Sequence, residues 1–167
     1  EYAFIADQHR GMVEWDQDKI RVDIIDIEVG SENGFPDPYE ANEPITAIAI
    51  KKLGNPNTWV FGCGAFNSQG VNTIYRKCKD EYDLCKKFME HWQKFTPDVL
   101  TGWNINLFDM PYLSARIIKI LGETALKDIS PFRNFWSREM TISNRVYNVF
   151  EWAGIAVLDY LDLYRKF

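Results

Sequence analysis

Two acidic residues stand two positions apart inside a run of branched aliphatics. They are Asp26 and Glu28 in Val22-Asp23-Ile24-Ile25-Asp26-Ile27-Glu28-Val29. Successive strand residues point to opposite faces, so these two carboxylates share a face of the strand that the run predicts. Side by side they repel, and burial would raise at least one pKa. A divalent cation removes the conflict. Mg²⁺ and Mn²⁺ take oxygen ligands, and two acids on one strand face are a ready half-site. The alternative is an edge strand with both acids in water. A third acid bears on that choice. In the stretch Leu100–Leu113, LTGWNINLFDMPYL, a strand runs into Gly102, a polar loop follows, and Asp109 stands at a helix start. Taken alone, Asp109 reads as an N-cap or first-turn acid that satisfies orphan amides. The loop before it carries Trp103, Asn104 and Phe108, and a loop needs no aromatics to fold. An amide and aromatic rings beside an acid suit a nucleotide, by stacking on the base and hydrogen bonding to the sugar or backbone.

These residues need elements to hold them. Tyr2–Ala6 and Gly11–Trp15 read as a short hairpin or irregular strands, and Ile20–Val29 is the strongest strand of the chain. The stretch from Ser31 to Pro44 has Gly, Asn and three prolines and reads as a loop. Pro44–Lys52 alternates like a second strand. A turn at 54–57 leads to a third, antiparallel strand at Thr58–Phe66. Residues 68–77 give no clear pattern. Tyr82, Cys85, Phe88, Met89 and Trp92 recur at helical spacing within Lys79–Phe95. Val99–Trp103 predicts a short strand. A helix then runs from Asp109, with Pro111 near its start and Gly122 at its end. Met140–Ile142 and Val146–Phe150 predict a hairpin in an otherwise ambiguous region, and Gly154–Leu163 gives a last strand with the start of a helix. This order is a mixed α/β sheet flanked by helices, not a run of equal βα units.

Bulk composition limits the rest. The chain has 167 residues, enough for one domain with a real core. A formal charge of −5 argues against gripping nucleic acid by bulk basic charge, but leaves room for an acidic catalytic site. The three cysteines lack metal-ligand spacing and fit a reducing cytosol. No apolar run approaches a membrane span, so no membrane partner is expected. The chain lacks an initiator Met and stops at LDLYRKF, which reads as an excised piece of a longer protein.

The combination of motifs resembles one family. Asp26-Ile27-Glu28 in a hydrophobic strand is similar to the first exonuclease motif of family B DNA polymerases. Residues 104–113, NINLFDMPYL, resemble the second: Asn, three residues, Phe-Asp, one residue, Pro-Tyr. IRVDIIDIEV, GFPDP, TGWNINLFDMPY and VLDYLDLYRKF, in that order, look like the replicative polymerases of T-even phages and cyanophages. The resemblance implies a ribonuclease H-like fold with an inserted hairpin, and proofreading in the 3′-to-5′ direction by two-metal-ion phosphodiester hydrolysis. It implies that Asp26, Glu28 and Asp109 are the catalytic ligands of Mg²⁺ or Mn²⁺. It also implies that Asn104, Phe108 and Phe35 contact a single-stranded DNA 3′ end or frayed primer terminus. The hairpin near 138–150 resembles the element that helps separate primer from template; it also reads as an ordinary exposed hairpin. Residues 1–19 would end a preceding N-terminal segment, and 20–167 would be a partial exonuclease domain. The remainder of the polymerase chain would be a partner, and a phage protein would work in the host cytoplasm.

The family's third motif, Tyr-x-x-x-Asp, supplies a fourth carboxylate and a tyrosine that orients water. None of the eight tyrosines is followed by Asp four residues on. Asp159 and Asp162 match no motif and read as structural. The fold is therefore expected to be incomplete at its C-terminus, and this piece weakly active or inactive alone. Two other functions remain open: a free-standing ribonuclease H-like exonuclease, and a non-catalytic nucleic-acid-binding module on the same fold.

Overall fold

The computed structural model describes residues 4, 7–11, 16–32, 34–67, 72–142 and 144–166. Six strands form the main sheet. They are β1 (Val22–Val29), β2 (Ile45–Lys52), β3 (Thr58–Gly62), β4 (Thr73–Lys77), β5 (Val99–Gly102) and β8 (Ala156–Asp159). Their order across the sheet is β4-β3-β2-β1-β5-β8. β1 is central, antiparallel to β2 and parallel to β5. β2–β3 is antiparallel, whereas β3–β4 and β5–β8 are parallel. Helices α1 (Glu81–Lys94), α2 (Asp109–Leu121), α3 (Glu123–Lys127) and α4 (Tyr160–Lys166) complete this part. A separate antiparallel pair, β6 (Phe135–Ile142) and β7 (Arg145–Trp152), forms the hairpin.

The alternation of β1 decides the layering. Asp23, Ile25 and Ile27 are buried, while Ile24, Asp26 and Glu28 are exposed. The buried face meets Ile48 and Ile50 of β2, Leu100 of β5 and the apolar stripes of α1 and α2. On α1 that stripe is Leu84, Cys85, Phe88, Met89 and Trp92; Leu84 takes the place expected for Tyr82, which is exposed. Asp80 caps α1 by accepting from the Asp83 N–H at 2.9 Å, a contact worth about 1 kcal/mol. Glu81 and Arg116 form an ion pair that ties α1 to α2. Glu81 also accepts from the Ile45 N–H at 2.8 Å, and Arg116 donates to the Ala41 carbonyl at 2.9 Å. Each buried charge therefore has hydrogen-bonded partners, which such burial requires.

The mixed sheet, flanking helices and inserted hairpin agree with the expected architecture. Four differences are local. The unreadable stretch ends in β4, an edge strand whose outward Arg76 and Lys77 carry no apolar alternation. The last strand stops at Asp159, and the residues after it are helical. The hairpin is longer than its expected core, with eight residues in each strand. The N-terminal strands expected over Tyr2–Ala6 and Gly11–Trp15 fall mostly outside the described residues, but Phe4, Asp7 and Gln8 are helical.

Candidate active site

Asp26 and Glu28 project from the exposed face of β1. In the β1–β2 register Asp26 stands opposite Ala49 and Glu28 opposite Ala47. Small cross-strand neighbours leave both carboxylates uncovered. With Val60 and Gly62 of β3 they bound a cleft of about 410 Å³. Among the described residues neither carboxylate accepts a hydrogen bond. Both therefore keep their lone pairs for a ligand.

Asp109 reaches the same strand from another direction. β1 pairs with β5 only as far as Ile24 and Thr101. Beyond that point the Ile27 N–H has left the ladder, and Asp109 Oδ1 accepts from it at 3.2 Å. The third acid thus meets β1 at the residue between the first two. It is 4% exposed, at the start of α2. Burial pushes its carboxyl up to about 7; the Ile27 N–H opposes the shift and the nearby Asp26 charge adds to it. The cleft beside Asp26 and Glu28 does not extend to Asp109. Among the described residues, no group of three or more His, Cys, Asp or Glu side chains forms a ready metal site.

Gly102 sets this junction. A Cβ built there would lie 2.6 Å from the Ile25 carbonyl oxygen. Only glycine lets the end of β5 approach β1 this closely. The chain then turns through Trp103–Phe108. Asn104 adopts a left-handed conformation with φ of 60°, which Asn tolerates better than most residues. Its carbonyl accepts from the N–H groups of Leu107 and Phe108. Among the described residues its side-chain amide makes no hydrogen bond.

The structure also joins two of the aromatics. The Phe35 ring, 87% exposed, lies 5.3 Å from the Phe108 ring. Phe108 packs in turn on Tyr112, whose hydroxyl donates to the Glu43 carbonyl. The loop after β1 is therefore pinned beside the start of α2. Tyr39, in the same loop, donates to the Asn148 carbonyl and accepts from the Asn148 N–H, which fastens that loop to the hairpin. No local pattern marks Tyr39, because its partner is 109 residues away. The loop aromatics extend outward as well: the Trp103 ring packs on Tyr160 and Tyr164 of α4.

The whole chain is similar to known proteins. The family model for the exonuclease domain of DNA polymerase family B matches residues 5–167. The chain belongs to that family. It is 35% identical to the DNA-directed DNA polymerase of Escherichia phage RB69, over 99% of this chain and 21% of that protein. It is 31% identical to the DNA-directed DNA polymerase of Enterobacteria phage T4, again over 99% of the chain and 21% of the relative. The chain thus spans about a fifth of the length of these relatives. A solved family B DNA polymerase from the archaeon Pyrobaculum calidifontis matches with a TM-score of 0.61 and 28% identity, over 89% of this chain and 16% of that one. Exonuclease domains of family B depend on divalent metal ions. Three carboxylates without a soft ligand suit such an ion, and a cation beside Asp109 would restore the charged form that burial disfavours. Among the described residues no helix is long and apolar enough to cross a membrane.

Proposed function

We propose that this chain is the proofreading part of a DNA-directed DNA polymerase and removes nucleotides from a 3′ end by metal-assisted phosphodiester hydrolysis. What supports the reading is the Asp109 contact. One carboxylate is delivered to the backbone between two others, in a chain whose family hydrolyses DNA ends. Asp26, Glu28 and Asp109 would hold Mg²⁺ or Mn²⁺. When bound, two such ions supply Lewis acidity and an activated water. The remaining work belongs to side chains. Asn104, with its free amide, would hold the sugar or phosphate of the terminal nucleotide. Phe35 and Phe108 would pack against the frayed end, since base–aromatic stacking tolerates any sequence. The open cleft beside Asp26 and Glu28 would admit the scissile phosphate.

The 167 residues contain no Tyr-x-x-x-Asp. A water-orienting tyrosine and a fourth acid are therefore missing from the set, and the chain on its own cleaves weakly or not at all. The test is a 5′-labelled single-stranded oligonucleotide with Mn²⁺. The polypeptide that carries this chain should give a ladder of shortened products, lost in Asp26→Ala. The 167-residue chain should give a much weaker ladder. Cleavage by the Asp26→Ala variant at the unaltered rate would overturn the assignment. A binding module without chemistry, the alternative, would bind the oligonucleotide and leave it intact with any metal.

A further inference from the structure

Asp159 lies outside the proposed ligand set, yet both its oxygens are engaged. It closes β8 and is 5% exposed. Oδ1 accepts from the N–H groups of Asn104 and Leu161, each at 3.0 Å, and Oδ2 accepts from the Asn106 N–H at 3.0 Å. The Leu161 bond caps α4. The other two cross 55 and 53 residues to the loop that leaves β5. That loop has neither strand nor helix partners for these two N–H groups, and such groups must be satisfied when buried. Asp159 supplies both acceptors.

We propose that Asp159 is a positioning residue for the 3′-terminal nucleotide. The carboxylate holds the Asn104 backbone in its left-handed turn, so that the Asn104 side chain is presented free of internal bonds. The same turn carries the chain on to Asp109, five residues later. Asp159 touches no reacting atom in this scheme, because three N–H donors already engage both its oxygens. Its influence runs through Asn104. Hydrogen bonds from backbone N–H groups to an ionised carboxylate are stronger than neutral ones, which suits a fixed turn. The inference rests on the reading of Asn104 as a grip on the nucleotide.

The predicted signature is a KM effect coupled to Asn104. The Asp159→Asn variant keeps an oxygen for Asn104 and Leu161 but sets an NH₂ group against the Asn106 N–H. In the polypeptide that carries this chain, with single-stranded oligonucleotide and Mn²⁺, Asp159→Asn should raise KM about tenfold and leave kcat within about threefold. Asn104→Ala should do the same, and the double variant should be no worse than Asn104→Ala alone. Amide hydrogen exchange in the unaltered protein provides a check that needs no variant: the Asn104 and Asn106 N–H groups should exchange far more slowly than neighbouring loop amides. Four results would overturn the proposal: fast exchange at both amides, an unchanged KM, multiplicative losses in the double variant, or a collapse of kcat at constant KM. The Asp26→Ala control separates the two readings. Cleavage that survives Asp26→Ala removes the metal assignment and this proposal with it. Cleavage lost in Asp26→Ala but unaffected by Asp159→Asn removes only this proposal.

Discussion

Asp109 and Asp159 sit at the same end of the sheet, are 4% and 5% exposed, and differ in what surrounds them. Asp159 accepts three backbone N–H bonds at 3.0 Å. Through the side chain Asp109 accepts one from another element, the longer bond from Ile27 at 3.2 Å. Its carboxyl is pushed up to about 7 by burial, and the Asp26 charge adds to the shift. Burial alone does not separate a structural acid from a ligand. The supply of donors does. A carboxylate holding three N–H groups acts as a cap; one with fewer donors beside another acid has more coordination capacity to spare.

The largest effect should come from breaking the cap. Asp159→Ala removes the acceptors of three N–H groups, two of them far along the chain. It should cost about 3–5 kcal/mol, read as a lower denaturation midpoint in urea. In metal-free protein at pH 8, Asp109→Asn should go the other way and stabilise, because it removes a charge that burial disfavours. If both substitutions destabilise alike, the distinction drawn between the two acids fails.

The pH profile sharpens the same contrast. A rise from 3.8 to about 7 means that folded Asp109 keeps its proton where the unfolded chain has released it. The unfolded state then binds fewer protons, so stability falls as pH rises between these values. The full penalty, reached above about pH 7, is of order 4 kcal/mol. Metal-free protein should therefore be less stable at pH 8 than at pH 5 relative to Asp109→Asn, which lacks the falling limb. Mn²⁺ should recover stability at pH 8 in the unaltered chain and not in the variant, because ligand binding to the native state must raise its stability. A flat difference between the two proteins over pH 4–8 would refute the Asp109 half of the comparison.

Gly102 lies between the two acids, paired with Asp159 and pressed on the Ile25 carbonyl. Gly102→Ala should cost about 2–3 kcal/mol, since a Cβ at 2.6 Å from a backbone oxygen forces the strands apart. Gly64→Ala, with nothing within 4 Å of the new carbon, should stay within about 0.5 kcal/mol. Equal costs at the two glycines, measured by thermal unfolding, would mean that the β1–β5 approach is not the tight feature of this site.

The sequence makes one half of this site far more legible than the other. Asp26 and Glu28 declare themselves by period-two alternation in β1, and α1 and α2 by three- and four-residue spacing. Asp109 is placed by its motif and by the helix start it marks. Strand β4 was invisible because an edge strand with half-buried Thr73, Ile74 and Tyr75 lacks alternation. The start of helix α4 was legible, but the helix buries no residue and leaves no apolar stripe to fix its bounds. Asp159 matches no motif in the sequence, and its contacts are not legible there, since two of its three partners lie more than 50 residues back. A local pattern records which face a residue takes. It does not record which distant N–H groups lack an acceptor.

The smallest effect belongs to Tyr39, at the outer rim of the comparison. Its hydroxyl both donates to and accepts from Asn148, and so joins the loop carrying Phe35 to the hairpin. Tyr39 is 38% exposed, and water can replace a lost partner there. Tyr39→Phe should therefore cost only about 0.5–1 kcal/mol of global stability. The two hydrogen bonds nevertheless tie this loop to β7, so their loss should speed hydrogen exchange at the Asn148 amide well beyond the global change. Exchange at the Asn104 and Asn106 amides should not respond, because Asp159 holds them independently of the hairpin. If Tyr39→Phe loosened all three amides together, the loop, the hairpin and the Asp159 turn would form one cooperative unit. The two aspartates would then have to be compared within that unit rather than as separate local environments.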